Sequence, residues 1–173
     1  PIKSSAASDV YKRQFYEYVV GVGTMHDRGY ASSPEAAKVA VECLREYMAG
    51  FGERNPQFHV FNAVIHQDEA TPHLHYDMIP YADGMKKGMT RQQGINKALE
   101  QMGYGTGKQA IANFTQSERK VFREICEAHG IEIAEETKGR GQTYSCEEYR
   151  QTAYKNLSLI HISEPTRHSL TSY

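Results

Sequence analysis

The sequence predicts an α+β fold in which an antiparallel β-sheet carries a His-x-His strand and packs with amphipathic helices. Three observations predict it. Phe15–Val22, Phe58–His66 and His73–Tyr81 are rich in aromatic and β-branched residues and read as strands. Ala36, Val39, Ala40, Cys43, Leu44, Tyr47, Met48 and Phe51 recur at three- and four-residue steps, the period of a helix with one buried face. Gln67 to Pro72 has the composition of a turn, so the second and third strands read as a hairpin.

The elements follow in order. After the first strand, Thr24 to Ser32 is a polar turn region. Ser33 then suits an N-cap, Pro34 the first helical position, and Glu35 complements the helix dipole. Gly50, Gly52, Asn55 and Pro56 end that helix. Beyond the hairpin, Asp83-Gly84 is a turn dipeptide, so Met85 to Met89 is expected to pair back briefly. Thr90-Arg91-Gln92-Gln93 fits a capping box opening a short helix to about Met102. Thr115-Gln116-Ser117-Glu118 opens another, with Val121, Phe122, Ile125 and Cys126 on its apolar face and Gly130 as its stop. Ser145-Cys146-Glu147-Glu148 repeats the signature before a last helix towards Lys155. Gly103 to Gln109 resembles a phosphate-binding loop at a glance. It has three residues between its outer glycines instead of four, and Gln109 where a Ser or Thr belongs, so it reads as a linker.

The 173-residue length suits one domain with a real core, and no apolar run approaches a membrane span. Cys43, Cys126 and Cys146 are scattered singly, which argues against a disulfide scaffold and fits a reducing cytoplasm, the expected location. A net charge of −1 does not by itself advertise nucleic-acid binding.

The two ends read as foreign. Asp9-Val10-Tyr11-Lys12-Arg13-Gln14 can be encoded GAT GTG TAT AAG AGA CAG, whose reverse complement encodes Leu-Ser-Leu-Ile-His-Ile, the residues from Leu157 to Ile162. Both stretches resemble translated sequencing adapters. Residues 1–14 and 157–173 are therefore expected to be non-native, leaving 15–156 as a partial domain. The ends hold four basic and two acidic residues, so the central part carries 16 Lys and Arg against 19 Asp and Glu and is mildly acidic.

Three of the eight histidines fall within ten residues, His66-Gln67-Asp68-Glu69-Ala70-Thr71-Pro72-His73-Leu74-His75. On a strand, side chains two apart share a face, so His73 and His75 project together while Leu74 turns towards a core. His66 completes a three-imidazole site if the chain folds back across the turn. No cysteine is near enough in sequence to close a structural zinc site, and three donors with an open position suit a catalytic one. Asp77 shares the histidine face and is either an acceptor behind an imidazole or a solvated acid.

The pattern His66-x-Asp68-Glu69-x-x-Pro72-His73-x-His75 resembles the metal-binding motif of the Mob/Pre family, the plasmid mobilisation and recombination relaxases of the His-hydrophobe-His endonuclease superfamily. The resemblance implies a relaxase-like antiparallel sheet flanked by helices and metal-dependent DNA-strand nicking. It implies Mn2+ or Mg2+ on His66, His73 and His75, although three imidazoles chemically suit Mn2+ or Zn2+ better than Mg2+. Glu69 and Asp68 take auxiliary roles: orienting a histidine, tuning the metal, or reaching it through water. The implied partner is DNA bearing an origin of transfer, single-stranded or supercoiled, with accessory mobilisation or coupling proteins.

Related relaxases place their nucleophile in an N-terminal motif upstream of the strand at Phe15, so this fragment is expected to lack it and to be inactive alone. His26 matches no family motif, and Tyr149 and Tyr154 read as helix-face residues unless the chain is a rolling-circle replication initiator with a downstream tyrosine. The other alternative is a histidine-coordinated hydrolase or metal-binding module outside the relaxases. Phosphate contacts are open to Lys86, Lys87, Arg91, Lys97, Lys108, Arg119, Lys120, Lys138 and Arg140, each by default a solvated charge.

Overall fold

The computed structural model describes residues 15–23, 28–29, 33–133, 160–162 and 166–168. The three long strands lie where their aromatic and β-branched composition predicts: β1 at Phe15–Val22, β2 at Phe58–His66 and β3 at His73–Ala82. All pairings are antiparallel, and the order β2-β3-β1 places β3 at the centre. A short β4, Gln92–Gln93, continues on β3. Along β1 and β3 every second residue is buried, so the sheet has one covered and one open face.

The covered face meets four helices: α1 at Pro34–Ala49, α2 at Phe51–Arg54, α3 at Ile95–Gln101 and α4 at Gly107–Ala128. Tyr18 and Tyr76 stack across β1 and β3 with ring centroids 5.4 Å apart, and Phe114 of α4 meets Tyr18 edge-on. Tyr47 of α1 and Phe122 of α4 close the layer at 5.3 Å. This aromatic core is the α+β arrangement that the sequence predicts.

Four local expectations are corrected. The first helix does not run unbroken into Phe51: α1 stops at Ala49, and Gly50 separates it from the one-turn α2. Ser33 occupies the N-cap without a side-chain capping bond. The strand returning onto β3 is Gln92–Gln93, not Met85–Met89, and those glutamines therefore do not cap a helix. Backbone groups at Ala82 and Tyr81 on the edge of β3 engage them instead, and α3 starts at Ile95. Finally, α4 begins at Gly107 rather than near Thr115, because Ala110 and Phe114 belong to its buried face. Local capping chemistry is worth about 1 kcal/mol, less than burying a Phe and an Ala.

The two helix stops are alike. Gly103 after α3 and Gly130 after α4 have φ of +85° and +77°. Each allows the next amide to reach back, Tyr104 to the Leu99 carbonyl and Ile131 to the Cys126 carbonyl, both at 2.9 Å.

Two three-residue strands, β5 at Ile160–Ile162 and β6 at Thr166–His168, pair with the outer edge of β1. Both fall in the segment read as adapter-like. Backbone pairing to a free edge is largely independent of sequence, so their position says nothing of their origin. The Ser145–Lys155 helix expected from the sequence lies outside the described residues, as do His26, Tyr149, Tyr154, Lys138 and Arg140.

Candidate metal centre

The hairpin register builds the site. His66, the last residue of β2, pairs with His73, the first of β3, and His75 pairs with Val64. Directly opposed residues share a face, so all three imidazoles stand on the open side while Leu74 is buried among the helices. Ring centroids are 5.1 Å apart for His66–His73, 4.7 Å for His66–His75 and 5.1 Å for His73–His75. One nitrogen from each ring lies within 4.8 Å of the others. Metal–nitrogen bonds of about 2.0–2.1 Å imply donor separations near 3.3 Å, within reach of small ring rotations. The spacing and the neutral donor set are compatible with a divalent metal.

Each ring is held through the same atom. His75 Nδ1 donates to Glu17 Oε1 at 2.8 Å, His73 Nδ1 to the Thr71 carbonyl at 2.9 Å, and His66 Nδ1 to Glu69 Oε1 at 3.3 Å. With a proton on every Nδ1, the lone pair of every Nε2 is left to bind a cation. Glu69 also brings Oε2 to 3.7 Å from His73 Nε2. Glu17 and Glu69 thus surround neutral donors with negative charge, which favours a cation over an anion at this point.

The auxiliary acids separate. Glu69 is drawn into the triad, whereas Asp68 is exposed in the turn with no contact to a histidine described. Asp77 shares the face but does not back an imidazole; it accepts from Asn62 Nδ2 at 2.9 Å. The acid behind His75 is Glu17, from β1. It sits diagonally across the pair, since Val19 is the direct partner of His75 and Glu17 that of Asp77. Sequence reasoning missed Glu17. Its one signal was a lone charge in an otherwise apolar strand, on the face opposite Tyr16 and Tyr18.

Among the described residues, the basic candidates do not converge on the triad. Lys86 and Lys87 lie beyond the far end of β3, about 30 Å from His73 at some 3.3 Å per residue. Arg91 is paired with Asp83 at 2.7 Å, Lys97 with Glu100 at 2.9 Å and Lys120 with Glu124 at 3.9 Å. Arg119 and Lys120 line a groove on α4 with Arg123, in the helical layer behind the sheet, and Lys108 is exposed at the start of that helix. Nor do the buried tyrosines serve the site. Tyr18, Tyr47 and Tyr76 lie on the covered side, and burial pushes the hydroxyls of Tyr47 and Tyr76 well above the ordinary tyrosine range.

Comparison with known proteins matches residues 11–150 to the family described as plasmid recombination enzyme. Among curated proteins, the plasmid recombination enzyme type 3 of Staphylococcus aureus is 28% identical over 112 aligned residues, covering 56% of this chain and 26% of the relative. The protein of the same name from Mammaliicoccus lentus is 28% identical over 113, with the same shares. The chain thus spans about a quarter of the length of the curated relatives it matches. No solved structure matches it.

Proposed function

Because the chain belongs to the plasmid recombination enzyme family, Mob/Pre, we propose that it is the metal-binding portion of a relaxase that nicks one DNA strand in plasmid recombination or mobilisation. The observation carrying this reading is that His66, His73 and His75 converge on an open sheet face with all three Nδ1 atoms engaged. These residues would hold a divalent cation, Mn2+ or Mg2+ by resemblance, through Nε2. Such a cation, when bound, supplies Lewis-acid stabilisation of the charge that develops on a scissile phosphate.

The remaining roles fall to the chain itself. Glu17 and the Thr71 carbonyl orient His75 and His73, and Glu69 orients His66 from the turn. Glu69 is also close enough to His73 to contribute an oxygen donor or hold a water. The open face leaves room for a phosphodiester opposite the imidazoles. Residues 15–156 form the proposed relaxase portion. The nucleophile is proposed to come from elsewhere in the full-length protein, with this fragment inactive alone.

The test has two stages. Calorimetric titration of this chain with Mn2+ should give a single site that His73→Ala abolishes. The full-length protein should convert supercoiled plasmid bearing the cognate origin to open circles only with metal, and lose this with His73→Ala. Metal-independent nicking, or nicking indifferent to His73, sinks the proposal.

A further inference from the structure

We propose that Cys43 and Cys126 form a reversible dithiol–disulfide pair, through which a hydroperoxide staples α1 to α4. The pair is independent of the histidine site and of the nicking reading. The two cysteines are far apart in sequence, but each lies on the buried face of its amphipathic helix. Packing α1 against α4 brings those faces together. Tyr47, one turn after Cys43, meets Phe122, one turn before Cys126, with ring centroids 5.3 Å apart. Glu46 and His129, each three residues beyond its cysteine, are joined at 2.8 Å. Beside these contacts the thiols meet, and Cys126 donates its S–H to Cys43. Ala40, one turn before Cys43 on the same face and also buried, adds little bulk to hold the helices apart. A disulfide needs Cα atoms within about 7 Å, an approach that small side chains permit where helices pack.

Buried thiols are usually inert. Two features set this pair apart. The hydrogen bond from Cys126 holds the Cys43 thiol below the ordinary cysteine range, and the nearby His129 acts in the same direction. The same bond, with burial, pushes Cys126 up, so Cys43 is the attacking group. The pair also lies close to a helix end. α4 stops at Ala128, two residues past Cys126, and the side chains of His129 and Glu46 are 28% and 57% exposed. Terminal turns open at little cost in free energy, which gives a small oxidant access.

With hydrogen peroxide as the oxidant, the Cys43 thiolate attacks one peroxide oxygen. An S–O bond forms, the O–O bond breaks, and the second oxygen leaves as hydroxide, which takes up the thiol proton and becomes water. The Cys126 sulfur then attacks the sulfenic sulfur of Cys43. The S–S bond forms, the S–O bond breaks, and the Cys126 proton leaves with that oxygen as a second water. The two thiols lose two electrons and the peroxide gains them. A dithiol reductant reverses the step.

The chain carrying Cys146→Ser, which removes the third thiol, tests this with hydrogen peroxide in the presence of a chelator. Both remaining thiols should be lost to titration, and a non-reducing digest should yield one cross-linked peptide pair holding Cys43 and Cys126. The thermal midpoint should rise by about 10 °C, and dithiothreitol should reverse all three changes. Dimedone, which traps sulfenic acids, should label Cys43 in Cys126→Ala and leave Cys126 unlabelled in Cys43→Ala. Thiols that both stay titratable after prolonged exposure overturn the proposal. So does a cross-link that forms only in urea, or one that leaves the midpoint unchanged or lower. Dimedone on Cys126 in place of Cys43 overturns the assignment of the attacking thiol.

Discussion

Glu17 Oε1 accepts the Nδ1 proton of His75 at 2.8 Å, joining β1 to β3 across 58 residues of sequence. Both side chains are partly buried, so the bond is shielded from competition by water. It selects the tautomer of His75 and aims its Nε2 at the point the other two histidines face. The triad is therefore a three-strand structure, although its histidines all come from one hairpin.

Removing that acceptor should weaken the metal site without dismantling it. We expect Glu17→Ala to lower divalent-metal affinity by about 10- to 100-fold, the usual effect of losing an outer partner of a ligating histidine. Glu17→Gln keeps an acceptor oxygen and should lose less. Calorimetric titration of both variants checks the order; an unaltered affinity in Glu17→Ala would mean that strand geometry alone orients His75.

The three histidines should also reveal themselves through stability. A metal that binds only the folded chain adds about 2.7 kcal/mol at a free concentration 100 times its dissociation constant. Denaturation with and without Mn2+ should show this gain in the wild type, and its loss in His66→Ala, His73→Ala and His75→Ala. Asp68→Asn, altering an exposed turn residue, should retain it.

A separate pH dependence is expected far from the site. His129, at the end of α4, donates from Nε2 to Glu46 Oε2 at 2.8 Å, and this bond raises its pKa above the ordinary histidine value. The protonated form is favoured in the folded chain. Its stabilising contribution is therefore complete below the unfolded value of about 6.5 and lost as pH rises through the raised folded value. The pair is partly exposed, so its worth is about 0.2–1 kcal/mol. Urea midpoints at about pH 5.5 and pH 8.5 should differ less in Glu46→Gln than in the wild type.

Glu118 predicts the largest loss. It is 1% exposed and receives Arg54 Nη2 at 3.1 Å and Asn55 Nδ2 at 3.1 Å. Glu118→Ala leaves Arg54 Nη2 and Asn55 Nδ2 only the Tyr47 and Phe51 carbonyls, at 3.0 and 3.3 Å, and a broken buried ion pair costs about 3–5 kcal/mol. Because Arg54 reaches the surface, the lower end is expected. Urea unfolding measures it; a loss under about 1 kcal/mol would show that water replaces the carboxylate, as at exposed pairs.

Legibility followed the range of the interactions. β1, β2 and β3 were readable to within one residue because their aromatic and β-branched residues mark a strand locally. The helical period of α1 was equally plain. The capping boxes at Thr90 and Thr115 misled, since the signature is local and the outcomes were not: the edge of β3 claimed Gln92 and Gln93, and the core claimed Ala110 and Phe114. Asp77 was singled out because it shares a strand with His75, yet an acid two residues along the same strand faces its own cross-strand neighbour, here Asn62.

By itself the sequence determined the candidate donors: three histidines, a turn between them and a side-chain period that sets His73 and His75 on one face. Only the tertiary structure decided that His66 lies opposite His73, that Glu17 stands behind His75, and that the face beyond them remains open. The reason is physical. Which side of a strand a residue faces follows from its own backbone, whereas what stands across from it depends on pairings between segments that the chain brings together only on folding.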